Sequence, residues 1–296
     1  MSEHRGRLLA STLATALLLV AGCSGDDAPA DGARSTPAAP GAATPSATSA
    51  PSATAAAEPS PLPTATEAPR PRAGSCHRLD FDEALAPTAG LDAAACGKRH
   101  TSETYAVGRV DALADGHLLA VDSARVQRQV ATTCPAALPG AVGGTVSDVR
   151  LSMLRPVWFT PTVEESDAGA DWYRCDVVVL AGADRLLPVT GSLVGVLDSP
   201  EGGDAYGMCG TAGPDDERFR RVPCGEPHAW RAFQVIDLPA GPYPGRGAIA
   251  DAGSAPCQDA AAAIAADPLD YEWGFEGPDP DQWAAGQTFI RCWTPD

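Results

Sequence analysis

Asparagine is missing altogether from the 296 residues, which removes every N-glycosylation sequon and any chemistry that needs an Asn side chain. Positive charge is scarce: 21 Lys and Arg stand against 38 Asp and Glu, a formal charge of −17. A protein that tracks nucleic-acid phosphates needs the opposite sign, so no nucleic-acid partner is expected. Cys-x-x-Cys is absent, and thiol-disulfide exchange enzymes usually rely on that arrangement to hold a reactive thiolate. Neither a Gly-x-Ser-x-Gly elbow nor a Walker or Gly-x-Gly-x-x-Gly pattern occurs, so serine hydrolase and nucleotide chemistry have no local support. No aromatic residue precedes Cys76; all 17 lie between Cys76 and Asp296, and only that part can build a core.

Long apolar runs are also lacking. The one marked run, Leu8 to Ala21, has 14 residues interrupted only by Ser and Thr, which is short for a bilayer span. With Arg5 and Arg7 ahead of it, the stretch 1–22 reads as an export signal. It ends in Val20-Ala21-Gly22-Cys23, which resembles a bacterial lipobox. The resemblance implies that Cys23 takes a diacylglyceryl group and becomes the new N-terminus. Each buried methylene contributes about 0.8 kcal/mol, so two or three acyl chains hold a protein firmly on a membrane. The expected location is the extracytoplasmic face of the plasma membrane, with the lipid as anchor. The mature chain then carries a charge of −18.

Residues 23–75 comprise that cysteine and a linker. Ser24 to Ser75 holds 16 Ala, 10 Pro, 7 Ser and 6 Thr, with Leu62 the only large aliphatic, too little apolar surface to offset the entropy of ordering. A tether of this composition spans roughly 40 Å as a flexible coil and about 160 Å when extended. That reach suits a domain held off the membrane within a cell wall.

Eight cysteines remain in the part that faces an oxidising compartment, so disulfides are the expected state. They form two quartets with parallel spacing: Cys76, Cys96, Cys134, Cys175 and then Cys209, Cys224, Cys257, Cys292. The second cysteine of each opens a matching stretch, with His100, Tyr105 and Val107 at the offsets of His228, Phe233 and Val235. The fourth closes another: Gly169, Trp172 and Arg174 before Cys175 correspond to Gly286, Phe289 and Arg291 before Cys292. The chain therefore carries a duplicated module, 76–200 and 204–296. Grouping by module leaves nine pairings, of which first-with-second and third-with-fourth is favoured. The first two cysteines lie on neighbouring extended segments, and the third sits on a helix-like segment that must dock on the strand bearing the fourth. Loops of this size stabilise by about 3 kcal/mol each when closed.

The fold class is α+β: two tandem small modules, each an antiparallel sheet with one or two helices and two disulfides. In the first, strands are expected at Thr104–Val110, Val146–Phe159 and Trp172–Leu180, a helix at Val121–Thr133, and an added strand or hairpin at Leu186–Leu197. In the second, extended segments are expected at Arg220–Cys224 and Ala229–Leu238, a helix at Cys257–Ala266 ended by Asp267-Pro268, and a strand at Gln287–Trp293.

This pattern resembles the septum formation domain of actinobacterial lipoproteins and membrane proteins: a cysteine near the start (Gly74-Ser75-Cys76), Val-Pro-Cys-x-x-Pro-His (Val222 to His228), a helix-associated cysteine, and Trp-x-x-Gly-x-x-x-x-x-Cys (Trp283 to Cys292). The first module departs from it, with Ala95 and Arg99 where the second has Pro223 and Pro227. The resemblance implies a cell-envelope role associated with division. It implies no catalytic mechanism.

Three features remain open at this level. The two Cys-x-x-x-His stretches could supply zinc ligands, but pairable thiols outside the cytoplasm favour disulfides, so neither a metal nor another cofactor is expected. His100 and His228 read as strand-start histidines bonded to a nearby carbonyl or carboxylate, with partner binding as the alternative. The acids Asp267, Asp270, Glu272, Glu276, Asp279 and Asp281 interleave with Tyr271, Trp273, Phe275 and Trp283. Packing of these rings under a short helix is favoured over a carbohydrate-facing surface or a calcium loop, whose spacing is missing; Trp273 and Trp283 are the candidate binding residues if the rings are exposed. The functional expectation is a non-enzymatic, lipid-anchored envelope protein that binds a division or envelope partner, with no catalytic residues. The alternative is a cell-wall-acting hydrolase or a carbohydrate-binding accessory that takes cell-wall glycan.

Overall fold

The stripe Val126, Val130, Cys134, Leu138, Val142 puts a buried residue at every fourth position, which dictates a helix with one apolar face. The computed structural model describes residues 69–90 and 92–296, so the signal, Cys23 and the linker up to residue 68 lie outside the described residues. Residues 69–75, linker by composition, run along the first sheet: Gly74 N–H donates to the Thr104 carbonyl at 2.7 Å.

The first module consists of β1 (Cys76–His77), α1 (Phe81–Leu85), β2 (Ala93–Ala94), β3 (Ser102–Arg109), the small hairpin β4 (Leu113–Ala114) and β5 (His117–Leu118), α2 (Ala124–Val142), α3 (Val146–Arg150), β6 (Leu154–Phe159), α4 (Val163–Asp167) and β7 (Trp172–Val179). After a 3₁₀ turn at Val196–Asp198 and α5 (Pro200–Tyr206) come β8 (Met208–Gly210), β9 (Arg221–Pro223), β10 (Trp230–Asp237), α6 (Arg246–Ile264), β11 (Gly274–Glu276), α7 (Pro280–Ala284) and β12 (Phe289–Pro295).

The duplication read from the cysteines is a duplication of topology. The sheets run β2-β1-β3-β7-β6 and β9-β8-β10-β12-β11, the same order of equivalent strands, all antiparallel. Both long central strands break register at matched positions, between Thr104 and Ala106 and between Ala232 and Gln234, so Tyr105 and Phe233 sit in corresponding bulges. Both modules place a 19-residue helix against the last long strand. The short helices α4 and α7 each start with a capping box, Thr162 with Glu165 and Asp279 with Gln282. Each is followed by a glycine at positive φ, Gly169 at 98° and Gly286 at 93°.

The structure moves several expected boundaries. α2 continues through Pro135 and Pro139 to Gly143, beyond the predicted end at Thr133, because its buried stripe and the Cys134 disulfide outweigh two lost helical donors. For the same reason α6 passes through Pro256 and begins eleven residues before Cys257, with Ile249, Gly253, Cys257 and Ala261 buried. Val146–Arg150 is helix rather than strand, since the Thr145–Asp148 capping box nucleates a turn there. Leu186–Leu197 forms no added strand, only bridges from Leu186 to Leu180 and from Val189 to His100.

The two sheets share a core. Leu138, Val142, Val177 and Val179 of the first module pack in one cluster with Met208, Ala232 and Trp293 of the second. A backbone bridge between Ser152 and Gly207 stitches them, with Met153 N–H to the Tyr206 carbonyl (2.8 Å) and Met208 N–H to the Leu151 carbonyl (2.7 Å). One face of β12, through Ile290 and Cys292, meets α6. The opposite face carries Arg291 and Trp293 toward the first module.

Candidate functional site

That opposite face opens into a groove of about 740 Å³ at the junction of the modules. Its walls come from the start of β6, the loop after β7, the entry to β9, the end of β11 and the start of β12. Five arginines line it, Arg155, Arg185, Arg220, Arg221 and Arg291, against two carboxylates, Glu276 and the exposed Asp184. In a chain with a large acidic excess this local inversion of charge is built by the fold.

Strand register positions the inner arginines. Arg221 opens β9 and holds Glu276 of β11 through two bonds, Nη2 to Oε1 at 2.8 Å and Nε to Oε2 at 3.2 Å. Arg155 lies on β6 and donates Nη1–H to the Ser152 carbonyl at 2.9 Å and the Leu154 carbonyl at 2.6 Å. Arg291 on β12 is buried at 4% exposure. Its Nε–H donates to the Arg150 carbonyl at 2.8 Å, and its guanidinium lies 4.8 Å from the centre of the Phe289 ring. Its Nη1 is buried with no acceptor among the described residues, and so is Nε2 of Gln287 on the same wall.

Burial is the main cause that lowers the Arg291 guanidinium to about 9, with the positive charges of Arg155 and Arg221 adding to it and Glu276 opposing. Burial, then Arg221, lowers Arg155 to about 10. Like charges held together away from water raise the affinity of the groove for an anion.

Arg174 is the counterpart of Arg291 in the first module and is closed off. Its side chain is fully buried, with Nε 3.5 Å from Asp176 and Nη1 donating to the Gly90 carbonyl at 3.2 Å. Asp176 also accepts from Thr104 Oγ1 at 2.7 Å and Ser102 Oγ at 3.2 Å. His77 joins this network through Thr104 Oγ1, and burial followed by the Arg174 charge lowers its imidazole. Trp293 stands where Asp176 would be, so Arg291 has no carboxylate at the matching position.

Of the other residues singled out by sequence, Glu276 of the acidic stretch lines the groove, whereas the cysteines, the two histidines, Trp273 and Trp283 lie away from it. The cysteines form Cys76–Cys96, Cys134–Cys175, Cys209–Cys224 and Cys257–Cys292, the first-with-second and third-with-fourth pattern. His100 and His228 make the same local contact: Nδ1 lies 2.9 Å from the Lys98 carbonyl and 2.7 Å from the Glu226 carbonyl, two residues back in each turn. His100 is buried, whereas His228 Nε2 reaches Asp296 Oδ2 at 2.6 Å. Cys209, His228 and Asp296 bring ligand atoms within 4.8 Å of one another, but the Cys209 sulfur is bonded to Cys224 and is not a thiolate. Trp283 is buried, donates its indole N–H to the Gly241 carbonyl at 2.9 Å and meets Tyr243 edge-on. Trp273 is half-buried and stacks on Phe275.

Sequence reasoning noted Arg291 only as part of the repeat and missed Arg155 and Arg221. A signal was present in the mismatch between Arg174-Cys175-Asp176 and Arg291-Cys292-Trp293, one arginine with a carboxylate two residues on and one with an indole ring there.

No curated protein and no solved structure matches the chain. The family profile for septum formation matches residues 73–292, one span that takes in all four disulfides and both sheets. The chain belongs to the septum formation family.

Proposed function

We propose that this protein is a non-catalytic, lipid-anchored binding protein of the cell envelope that acts in septum formation, with the junction groove as its partner-binding surface. The family supports the division role. The lipobox at Cys23 and the Ala/Pro-rich tether support attachment to the outer face of the plasma membrane. The observation that carries the binding role is the groove itself: its donors are fixed by two sheets that share one core, so the surface is pre-organised. The glycan-acting alternative has less support, because the Trp283 ring is committed to packing.

The test is photocrosslinking in intact cells. Amine-reactive reagents suit the chain poorly, since Lys98 is its single lysine. A photoreactive residue at the exposed groove position Ala183 is expected to capture division or envelope proteins that the same residue at exposed Asp259 on α6 does not. Equal capture from both positions, or a Cys23→Ser variant that still fractionates with membranes, overturns the reading.

A further inference from the structure

We infer that the junction groove is an oxyanion site, in which Arg155, Arg221, Arg291 and the Gln287 amide take a phosphate or carboxylate group while Phe219 and Leu180 contact the apolar part of the same ligand. This inference rests on the junction being the binding surface and names the chemistry it recognises.

The unmet hydrogen-bonding capacity is all of one kind. Arg291 Nη1 and Gln287 Nε2 are both donors, both buried, and both without an acceptor among the described residues. Buried donors on one wall call for an acceptor of matching reach. Around them the charge is also of one sign. Three guanidiniums line the inner groove with Glu276 as the carboxylate among them. A cation would meet that one carboxylate already held at two points by Arg221, whereas an anion would meet two donors with no competing bond, Arg291 Nη1 and Gln287 Nε2. The planar fork of an arginine matches two oxygens of a carboxylate or phosphate at once.

The duplication supplies an independent argument. The same strand position in the first module carries Arg174, whose charge is met inside the protein by Asp176 at 3.5 Å, although its Nε and Nη2 have no hydrogen-bond acceptor among the described residues. In the second module Trp293 replaces the carboxylate, and the arginine faces a groove large enough for a small organic anion or the end of a larger ligand. Arg291 thus keeps as its nearest carboxylate only Glu276 on the neighbouring strand, which Arg221 already holds at two points, and the charge balance that Asp176 gives the first module is absent here.

The experiment titrates the full-length chain in detergent micelles with inorganic phosphate and, separately, with succinate. Ionic strength is held constant with chloride, and binding is followed by calorimetry. Saturable binding of either probe is expected, and the stronger probe identifies which oxyanion the site prefers. Arg221→Gln is expected to weaken binding about tenfold, the loss of one charge-assisted contact. Glu276→Gln is expected to tighten it on the order of threefold, because the competing carboxylate is gone and Arg221 is released. These opposite signs cannot both come from partial unfolding. Absence of saturable binding by both probes, or equal affinity in all three proteins, overturns the inference. If a probe binds as expected but crosslinking from Ala183 captures nothing specific, the anion site stands and the partner reading fails; if no probe binds, the anion site falls and crosslinking still decides the partner.

Discussion

Trp293 occupies in the second sheet the place that Asp176 holds in the first, one residue beyond the strand cysteine that docks on the long helix. The exchange sends the two copies in different directions. Asp176 closes a buried polar network around Arg174, whereas Trp293 becomes fully buried in the cluster that joins the sheets and meets Phe219 edge-on at 5.1 Å. A duplicated module that kept an aspartate at both positions would lose the largest apolar side chain of the cluster that joins the sheets.

Asp176→Asn is expected to destabilise the protein by about 3–5 kcal/mol, because it leaves the fully buried Arg174 guanidinium without its countercharge. Urea denaturation of the oxidised protein measures this as a fall in midpoint at unchanged slope. A loss below about 1 kcal/mol, the scale of an exposed pair, would show that the network is not holding Arg174.

Because the core is shared, the sheets should unfold together. Calorimetry is expected to show one transition whose enthalpy agrees with the van't Hoff value. Trp293→Ala removes the largest side chain at the joint and should cost about 3–5 kcal/mol. It should lower the stability of both modules rather than of the second alone, as read by hydrogen exchange in β3 and in β10. Protection lost only in the second sheet would mean that the contact does not couple them.

The duplication, the α+β class and the disulfide pattern were legible in the sequence because each rests on covalent spacing or local periodicity. Cys96 and Cys224 lie beside tight turns that bring them back to Cys76 and Cys209, so the pairing follows from chain geometry over short distances. The helix ends were not legible, since proline rules favour stopping at Pro135 and Pro256, whereas buried stripes that extend past them decide the outcome. The groove was invisible for a different reason. Arg155, Arg221 and Arg291 are separated by tens of residues and meet only when Gly207 pairs with Ser152, a contact between modules that no local pattern encodes.

Gly169 and Gly286 offer a cleaner test of the repeat. Both adopt positive φ just after a short capped helix, and a Cβ at either would touch nothing within 4 Å. Replacement by Ala therefore isolates backbone strain, about 1–2 kcal/mol at each site and nearly equal in the two modules. Gly277→Ala is the contrasting case, since its Cβ would fall 2.2 Å from Ile249 Cγ2 and must displace the α6 packing as well. Thermal midpoints should rank Gly277→Ala lowest, with the other two together above it.

Reduction should proceed by access. Cys134–Cys175 and Cys257–Cys292 have both sulfur-bearing residues fully buried, whereas Cys96 is partly exposed beside buried Cys76. Limited reductant followed by alkylation and peptide mapping is expected to label Cys76 and Cys96 before the two helix-to-strand pairs. Once those pairs open, loops of 41 and 35 residues are released, and each loss should cost about 4 kcal/mol. Simultaneous labelling of all eight cysteines would instead mean that reduction waits on global unfolding.

The His228–Asp296 pair sets a pH window for part of the second module. The hydrogen bond that His228 Nε2–H donates to the Asp296 carboxylate is the main cause that raises the His228 imidazole above its ordinary 6.5, with the Glu226 carbonyl adding to it. Asp296 is held below its ordinary 3.8, first by Arg231 and then by His228, with burial opposing. For a group raised on folding, the stabilisation is complete below the unfolded value and is lost as pH rises through the folded one; for a group depressed on folding, it is present above the unfolded value and lost as pH falls through the folded one. The pair therefore contributes between those limits, fully from about pH 4 to 6.5, and only a few tenths of a kcal/mol given its partial exposure. Asp296→Asn is expected to bring the His228 titration back toward 6.5, followed by NMR of the imidazole Cε1–H. An unchanged His228 midpoint would mean that the Glu226 carbonyl alone fixes the ring and that the carboxylate has no part in its charge.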